Sequence, residues 1–340
     1  MLIRACAFTT EGWNLVRKIA NGLPDYFFDM RKEGNNLEEW IKDSFQLGAP
    51  ILFVGAIGIA VRKIAPYISN KLTDSPVIVV DECGRYMIPL LSDHVGGAGE
   101  IARNVASLLE AQVVLTAATD IHNLFSVDVF ARKNGLVITD KDGIKRVSAK
   151  LLKEGAIRMA IAPSVEYSFE EIPEYISIVE YGDPSADVVV QTTEESLYSS
   201  HPLYLIYKPF VIGVGCKKNT PFERLDGFIK ENLSIQGIDI NLVARMASID
   251  LKKEECGLLY FECKNRIPFT VYTAEELDSV EGNFSISEYV RSVTGVSNVC
   301  ERAAMKASGE GAQLIVKKIV QDGMTLAVSR RKARLVTWET

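Results

Sequence analysis

Short runs of apolar, often β-branched residues alternate along the chain with segments whose apolar positions recur at helical spacing. The pattern predicts a strand over Leu2–Phe8 and a following helix over Gly12–Ala20. Ile51–Val54 and Val77–Val80 are apolar throughout, which is typical of strands that are buried on both faces. This alternation predicts an α/β fold built in layers.

The pattern changes twice along the 340 residues, which exceed the length of one ordinary domain. A strand and a turn near Gly135 open a second section, and the polar, turn-rich stretch 191–202 closes it. We therefore predict layered α/β/α domains over 1–135 and 206–340, with a smaller middle α/β section and linker over 136–205. The motifs discussed below place the core of the first domain at about residues 50–130.

The secondary structure of the last domain can be outlined from the same pattern. Apolar spacing predicts a helix over Ile240–Ser248. Two further runs, Gln313–Val320 and Met324–Ser329, predict strands, and the Asp322-Gly323 pair between them is a strong hairpin signal. We therefore expect the chain to end in a β-hairpin.

Composition excludes several classes of protein. The net charge is −6, whereas nucleic-acid binders are usually basic because they neutralise phosphates. The longest apolar run, Ile51–Val61, falls short of the ~20 residues of a membrane helix, and the N-terminus has no signal-peptide pattern. Six cysteines without a C-x-x-C pair indicate reduced thiols. We expect a cytoplasmic protein with no nucleic-acid and no membrane partner.

The first candidate site residues are Asp81 and Glu82, which directly follow the predicted strand VIVV. Ligands of open α/β sheets bind beyond the carboxyl ends of the strands. Two adjacent carboxylates at such a place can act as a general base and as a polar anchor. The alternative is a turn with solvated acids, and the residues alone leave both interpretations open.

The second candidate is the loop Ser92-Asp93-His94-Val95-Gly96-Gly97-Ala98, between a predicted strand and a predicted helix. Gly96 and Gly97 allow the backbone to approach a ligand closely, and the N–H groups of a helix start favour an anion. His94 can transfer protons near neutral pH. Alternatively, Ser92 or Asp93 caps the helix and His94 only packs.

Two other features carry less information. Thr119 is a candidate ligand-binding residue, and so is Asp120, which could equally cap a helix. The three histidines, His94, His122 and His201, lack the close spacing of metal ligands. We therefore expect no metal site made by the protein.

The third candidate is the segment GVGCKKNT, which combines a strand end, a glycine loop and a helix start. Gly213 and Gly215 open the backbone, and Lys217 and Lys218 add positive charge, so that a carboxylate or phosphate would be favoured there. Cys216 could act as a nucleophile in such a setting, although no histidine is adjacent in sequence.

Several of these blocks resemble the CbiG family of cobalt-precorrin-5A hydrolases. They are VIVVDECGRYMIPLLSDHVGGAGEIA, TAATD, GVGCKKNT, ASIDLKKEECGLL and VCERAAMKASGEGAQLIVKK, and their order fits the family over almost the whole chain. Two positions depart from the family pattern, because Asp93 stands where glycine is usual and Gly99 where asparagine is usual. His94, Gly96 and Gly97 are kept.

The resemblance implies an enzyme of the oxygen-independent branch of cobalamin synthesis. Such enzymes open the lactone of cobalt-precorrin-5A and release acetaldehyde to give cobalt-precorrin-5B. The implied partner is a cobalt corrinoid, whose metal belongs to the substrate, and no protein cofactor is expected. A homo-oligomer and transient contacts with neighbouring pathway enzymes are compatible with this role.

The resemblance also assigns candidate roles to residues. Asp81, Glu82 and His94 are the expected catalytic groups for proton transfer. The expected substrate-binding residues are Ser92, Gly96, Gly97, Thr119, Asp120, Gly213, Gly215, Lys217, Lys218 and Glu301. Glu301 also has a structural alternative, because it stands three residues after Asn298 and would complete a helix capping box.

Two functions of other classes remain as alternatives. A corrinoid-binding or handover protein would bind the same molecule without releasing acetaldehyde. A sugar-phosphate or nucleotide enzyme would use similar glycine loops, but the chain has neither a Walker A motif nor a dinucleotide fingerprint.

Overall fold

The computed structural model describes residues 1–32, 34–70, 73–93, 96–116, 124–167 and 172–338. Helices and strands are interleaved, which confirms the predicted α/β class. The chain divides into two compact units, one of residues 1–121 with 259–266 and one of 122–258 with 267–340. The division into three domains therefore stays a prediction.

The first unit contains a six-stranded sheet in the order β2-β1-β3-β4-β5-β6. Strands β1 to β4 are parallel, β5 runs antiparallel to β4, and β6 is parallel to β5. The strands are β1 Leu2–Ala7, β2 Phe27–Met30, β3 Ile51–Val54, β4 Val77–Val80, β5 Tyr86–Leu91 and β6 Gln112–Val113.

Helices of the first unit pack their apolar residues on this sheet. They are α1 Thr10–Gly22, α2 Leu37–Leu47, α3 Ile57–Ile64 and α4 Ala98–Leu109. The hydroxyl of Thr9 caps α1 and the amide oxygen of Asn36 caps α2, so each helix begins where its sequence supplies an acceptor. Strands β3 and β4 are buried at every position, as their continuous apolar runs predict.

The second unit contains two five-stranded sheets, and the first has the order β7-β11-β10-β8-β9. Its edge strand β7 is antiparallel to β11, and the other pairs are parallel. The elements are α5 Val127–Asn134, β7 Leu136–Ile138, α6 Lys141–Glu154, β8 Ile157–Ile161, β9 Ile176–Val179, β10 Val188–Gln191 and β11 Leu203–Tyr207.

The last sheet has the order β14-β13-β12-β16-β15. Strands β12 to β14 are parallel, and β16 and β15 are antiparallel to their neighbours. The elements are β12 Phe210–Gly215, α7 Phe222–Ile235, β13 Val243–Ile249, α8 Cys256–Asn265, β14 Phe269–Tyr272, α9 Ala274–Asp278, α10 Glu288–Thr294, α11 Cys300–Ser308, β15 Gln313–Gln321 and β16 Met324–Arg330.

One predicted helix of the last domain is wrong and the predicted hairpin is confirmed. The segment Ile240–Ser248 is mostly strand β13, which lies between β12 and β14 and is buried at six of its seven positions. A strand covered on both faces has no period-2 alternation of apolar and polar residues, so its apolar run resembles the pattern of a helix. The turn between β15 and β16 has positive φ at Asp322 (50°) and Gly323 (82°), as a two-residue hairpin turn requires.

The helices in the described part of the chain are all too short or too polar to cross a bilayer. The longest of them have 14 residues, whereas a transmembrane helix needs ~20 predominantly apolar residues.

Candidate functional site

Asp81 organises the tight turn of the β4–β5 hairpin. Its carboxylate accepts hydrogen bonds from the backbone N–H groups of Cys83 (3.1 Å), Arg85 (2.8 Å) and Tyr86 (2.7 Å). Its carbonyl oxygen accepts a further bond from Gly84 at 2.9 Å. Both carboxylate oxygens are thus engaged in the turn, which supports the structural interpretation of this residue more than the role of a base.

Glu82 is exposed at the same edge of the sheet, where strands β1, β3 and β4 end. Its carboxylate accepts a hydrogen bond from the hydroxyl of Thr9. The chain leaves β1 toward one side of the sheet and β3 toward the other, so this edge is a topological switch point. Sequence reasoning missed Thr9, although its place directly after the first strand was a usable signal.

Ser92, Gly96 and Gly97 lie at the opposite edge, because β5 runs antiparallel to β4. The hydroxyl of Ser92 donates to the carbonyl oxygen of Asp74 at 2.8 Å, just before β4 begins. A Cβ on Gly96 would lie 2.7 Å from the carbonyl oxygen of Ser92 and 2.9 Å from the ring of Pro76. Gly97 adopts φ 82° at the start of α4. Ser92 and Gly96 are therefore closely packed on the start of β4.

The two groups of candidate residues in the first unit are well separated. Asp81 directly follows β4, whereas Leu91, the residue before Ser92, pairs with Val77 at the start of β4. At about 3.3 Å per residue, the strand places roughly 13 Å between these positions. The structure therefore does not bring Asp81 or Glu82 together with Ser92.

Asp93 and Gly99, the two departures from the family pattern, are adjacent in space. A Cβ on Gly99 would clash with a carboxylate oxygen of Asp93 and would lie 3.7 Å from the guanidinium of Arg103. The N–H of Gly99 also donates to the carbonyl oxygen of Asp93 at 3.3 Å. The side chain of Asp93 thus fills the space that a side chain at position 99 would need.

A pocket of about 640 Å³ lies beside this loop in the first unit. Its polar wall includes Asp74, whose carboxylate accepts from the N–H groups of Ser69 and Asn70 and whose carbonyl accepts from Ser92. Phe45 and Tyr67 form a tilted aromatic pair with centroids 5.9 Å apart. The lining residues are Lys42, Phe45, Gln46, Gly48, Tyr67, Ser69, Thr73, Asp74, Cys263, Lys264 and Arg266.

Three cations, Lys42, Lys264 and Arg266, line this pocket. Lys264 donates to the carbonyl oxygen of Gln46 at 2.6 Å, and Arg266 donates to that of Asp74 at 3.3 Å. Apolar rings beside several cations suit a ligand that has both a flat apolar body and carboxylates. Sequence reasoning named none of these residues, because Lys42 is more than 200 residues away in the chain from Lys264 and Arg266.

In the second unit, Gly213 and Gly215 allow close packing of protein on protein. A Cβ on Gly213 would clash with the carbonyl oxygen of Cys300 in α11, and one on Gly215 would lie 2.6 Å from the hydroxyl of Thr325. These glycines therefore let α11 and β16 approach β12, which accounts for them without a ligand.

Cys216, Lys217 and Lys218 follow β12, and both lysines are exposed. Burial raises the pKa of the Cys216 thiol to about 11, so the thiolate that a nucleophile needs is scarce near neutral pH. The stem of Lys217 lies against the turn at Gly323. The helix that follows begins at Phe222. The two lysines remain available to an anion at this edge of the sheet.

Lys252 and Glu255 are a second pair of charges near Cys216 that sequence reasoning missed. Their side chains are mostly buried and 3.4 Å apart, on the loop that follows β13. The motif ASIDLKKEECGLL contains both, but nothing in its spacing marks them out from the other charged residues. The ion pair adds polar groups to the same edge as Lys217 and Lys218.

Glu301 is fully buried in α11, and its carboxylate is saturated with donors. It accepts from the N–H (2.8 Å) and hydroxyl (2.9 Å) of Ser285, the amide of Asn298 (2.9 Å) and the N–H of Lys318 (2.7 Å). The N–H of Glu301 donates to the side chain of Asn298 in return. This burial supports the structural alternative, in which Glu301 positions the segments around it, and its contact with substrate stays a prediction.

Three candidate residues, His94, Thr119 and Asp120, lie outside the described residues. Their roles stay predictions. Among the residues that are described, no three His, Cys, Asp or Glu side chains are grouped so that they could hold a metal ion.

Comparison with known proteins adds the following. The family model described as cobalamin synthesis G N-terminal matches residues 39–120, and the one described as cobalamin synthesis G C-terminus matches 210–329. A cobalt-precorrin-5A hydrolase of Salmonella typhimurium is 30% identical over 337 residues, 94% of this chain and 95% of that one.

Two further relatives cover nearly the whole chain. A cobalt-precorrin-5A hydrolase of Priestia megaterium is 30% identical over 92% of this chain and 90% of its own. A probable cobalt-precorrin-5A hydrolase of Methanocaldococcus jannaschii is 25% identical over 97% of this chain and 99% of its own. The similarity is therefore not confined to one domain.

Proposed function

The chain belongs to the cobalamin synthesis G (CbiG) family, and we propose that it opens the lactone of cobalt-precorrin-5A and releases acetaldehyde. It is a hydrolase of cobalamin biosynthesis. The observation that carries this conclusion is the 30% identity, over nearly the full length of both chains, to cobalt-precorrin-5A hydrolases. Cobalt enters the proposed reaction only as part of the substrate.

We assign the reaction to the edge of the first sheet that carries Ser92, Gly96 and Gly97. The support is the adjacent pocket of about 640 Å³, with its aromatic pair and its three cations. A flat macrocycle with peripheral carboxylates suits such a lining. Lys42, Lys264 and Arg266 would bind carboxylates, and Phe45 with Tyr67 would pack on the ring.

The first step adds water to the lactone, breaking the acyl C–O bond to give a carboxylate and an alcohol. A general base must take a proton from the water, and donors must stabilise the oxyanion that forms. We propose His94 as this base. The start of α4 behind Gly97 directs its dipole toward the loop and favours negative charge there.

The second step breaks the C–C bond between the carbinol carbon and the macrocycle. The hydroxyl loses its proton, its C–O bond becomes the carbonyl of acetaldehyde, and the electron pair of the broken bond passes to the macrocycle, which takes up a proton. His94, which carries the proton gained in the first step, gives that proton to the macrocycle, and the imidazole nitrogen that this frees takes the proton of the hydroxyl. Glu82, about 13 Å along the strand from this loop, would be too far to share in either transfer.

The test is acetaldehyde release from enzymatically prepared cobalt-precorrin-5A under anaerobic conditions. Release that depends on this protein, together with loss of two carbons from the corrinoid, is the expected result. Tight corrinoid binding without acetaldehyde would instead favour a handover protein. Neither binding nor release would refute the proposed substrate.

A further inference from the structure

The first sheet of the second unit has its own topological switch point. The chain leaves β8 for its neighbour β9 on one side and leaves β10 for its neighbour β11 on the other, while β8 and β10 are adjacent. Open α/β sheets bind ligands in the crevice where neighbouring strands part in this way. Ser164 follows β8 and Thr192 follows β10 at this crevice.

A network of hydrogen bonds holds the two strand ends together. The carboxylate of Glu195 accepts from the hydroxyl of Ser164 and from the N–H (2.8 Å) and hydroxyl (2.7 Å) of Thr192. The fully buried amide of Gln191 donates to the carbonyl oxygen of Glu195 at 3.0 Å. These bonds fix the floor of the crevice and use the hydroxyl protons of Ser164 and Thr192, so an anion must be bound by the cations of the wall.

The crevice opens into a pocket of about 280 Å³ with three consecutive cations, Arg330, Arg331 and Lys332, in its wall. Arg330 pairs with Glu194 and Lys332 with Glu166, but all four side chains are about half exposed. Exposed ion pairs contribute little to stability, because solvent screens their charges. An incoming anion can therefore replace either carboxylate at small cost.

Arg331 is held more firmly and carries a positive charge among neutral groups. It donates to the carbonyl oxygens of Lys208 (2.9 Å), Asn134 (3.2 Å) and Gly135 (3.2 Å), and it stacks on Tyr207 at 4.1 Å. Burial lowers the pKa of Lys208, and the charge of Arg331 lowers it further. The two neighbouring cations leave the base of this pocket electropositive.

We propose that this pocket binds an oxyanion, a carboxylate or phosphate group, between the cations Arg330 and Lys332. The pocket can hold a small molecule but not a macrocycle, so only a side arm of a corrinoid would fit it. The oxyanion comes either from a free small molecule or from a peripheral carboxylate of a corrinoid. This site is separate from the pocket of the first unit and does not rest on the hydrolase proposal.

Isothermal titration of the full chain with citrate and with inorganic phosphate, at constant ionic strength and pH 7, tests the site. The variant is Arg330→Gln with Lys332→Gln, and the matched control is Arg17→Gln with Lys18→Gln, two exposed cations of the first unit. We expect at least one anion to bind, the variant to bind it at least tenfold more weakly, and the control to match the wild type. No binding of either anion, or equal loss in both variants, would overturn the proposal.

Titration with the corrinoid then separates the two sources of the oxyanion. If citrate competes with the corrinoid, and the Arg330/Lys332 variant binds the corrinoid more weakly, the oxyanion is a carboxylate of the corrinoid. If the corrinoid binds equally to variant and wild type, the oxyanion that the pocket binds belongs to a free small molecule. Acetaldehyde release is measured separately, so failure of this site and failure of the hydrolase proposal are distinguishable.

Discussion

The two edges of the first sheet use their polar residues differently. At one edge, Asp81 closes the β4–β5 turn with three backbone hydrogen bonds, and Glu82 is bonded to Thr9. At the other edge, Ser92 and Gly96 pack on the start of β4, beside a pocket lined with cations and aromatic rings. At the first edge the carboxylates are hydrogen-bonded within the protein, whereas the second edge has space for a ligand.

One continuous sequence motif can therefore supply both a structural turn and the residues beside a ligand pocket. Asp81 and Ser92 belong to the same motif, but the antiparallel strand β5 carries the chain from one edge to the other between them. The acids are explained by the hairpin, which must form for the loop to be placed at all. We therefore propose a catalytic role for His94 and a structural role for Asp81, and the following variants test these two roles.

The largest effect is expected from His94→Gln. Removing a general acid–base group typically lowers the rate by about 10²–10⁴-fold. We expect acetaldehyde release to fall by at least ~100-fold, with an unchanged melting temperature, because the change removes a proton-transfer group and little volume. The matched control is His201→Gln, an exposed histidine of the second unit, which should keep wild-type turnover. A loss below threefold for His94→Gln would contradict the assignment.

The second-largest effect is expected from Arg266→Met in the pocket of the first unit. Loss of one charge-assisted contact to a substrate carboxylate should raise KM by about tenfold, equivalent to ~1.4 kcal/mol, with kcat nearly unchanged. Steady-state kinetics over a range of corrinoid concentrations measures KM and kcat separately. Arg62→Met, an exposed arginine of α3, is the control and should leave KM unchanged. Equal KM values for both variants would remove this pocket from the account.

Asp81→Asn tests whether Asp81 has a structural or a catalytic role. The amide keeps one acceptor oxygen but replaces the other with a donor facing backbone N–H groups, which should lower the free energy of unfolding by about 1–3 kcal/mol. Urea denaturation measures this loss, and Asp43→Asn on the exposed face of α2 should stay within about 0.5 kcal/mol of wild type. We expect the folded variant to keep its kcat. A ~100-fold loss of kcat with normal stability would restore Asp81 as the base.

The smallest effect concerns the pair Asp93 and Gly99. Gly99→Asn alone should destabilise the loop, because the carboxylate of Asp93 fills the space of the new side chain. Asp93→Gly in the same chain should recover stability, with a coupling energy of about 1 kcal/mol. Thermal unfolding of both single variants and the double variant measures it. Strict additivity would show that the two departures are independent.

Much of the fold could be predicted from local patterns, and the errors have a common cause. The continuous apolar strands β3 and β4, the capped start of α1 and the hairpin at Asp322-Gly323 each carry a local signal. The segment over β13 was assigned to a helix, because burial on both faces removes the alternation that marks a strand. Local patterns fail where the surroundings, rather than the segment, determine the structure.

The candidate site could be predicted only in part, for a related reason. Gly213 and Gly215 are predicted from the sequence to bind substrate, whereas in the structure α11 and β16 pack closely against them. The buried network of Glu301 and the cations of the pocket join residues that are remote in sequence. Spacing along the chain cannot show such contacts, which depend on tertiary packing.

Protection from alkylation by bound substrate tests most directly which edge of the first sheet holds the corrinoid. Cys83 is an exposed native thiol in the turn of Asp81, and Thr73→Cys would place a second thiol on the pocket wall. The rate of labelling by iodoacetamide would be measured at each position with and without cobalt-precorrin-5A, under anaerobic conditions. The account predicts slower labelling at position 73 and an unchanged rate at Cys83. Protection of Cys83 with free labelling of position 73 would contradict it.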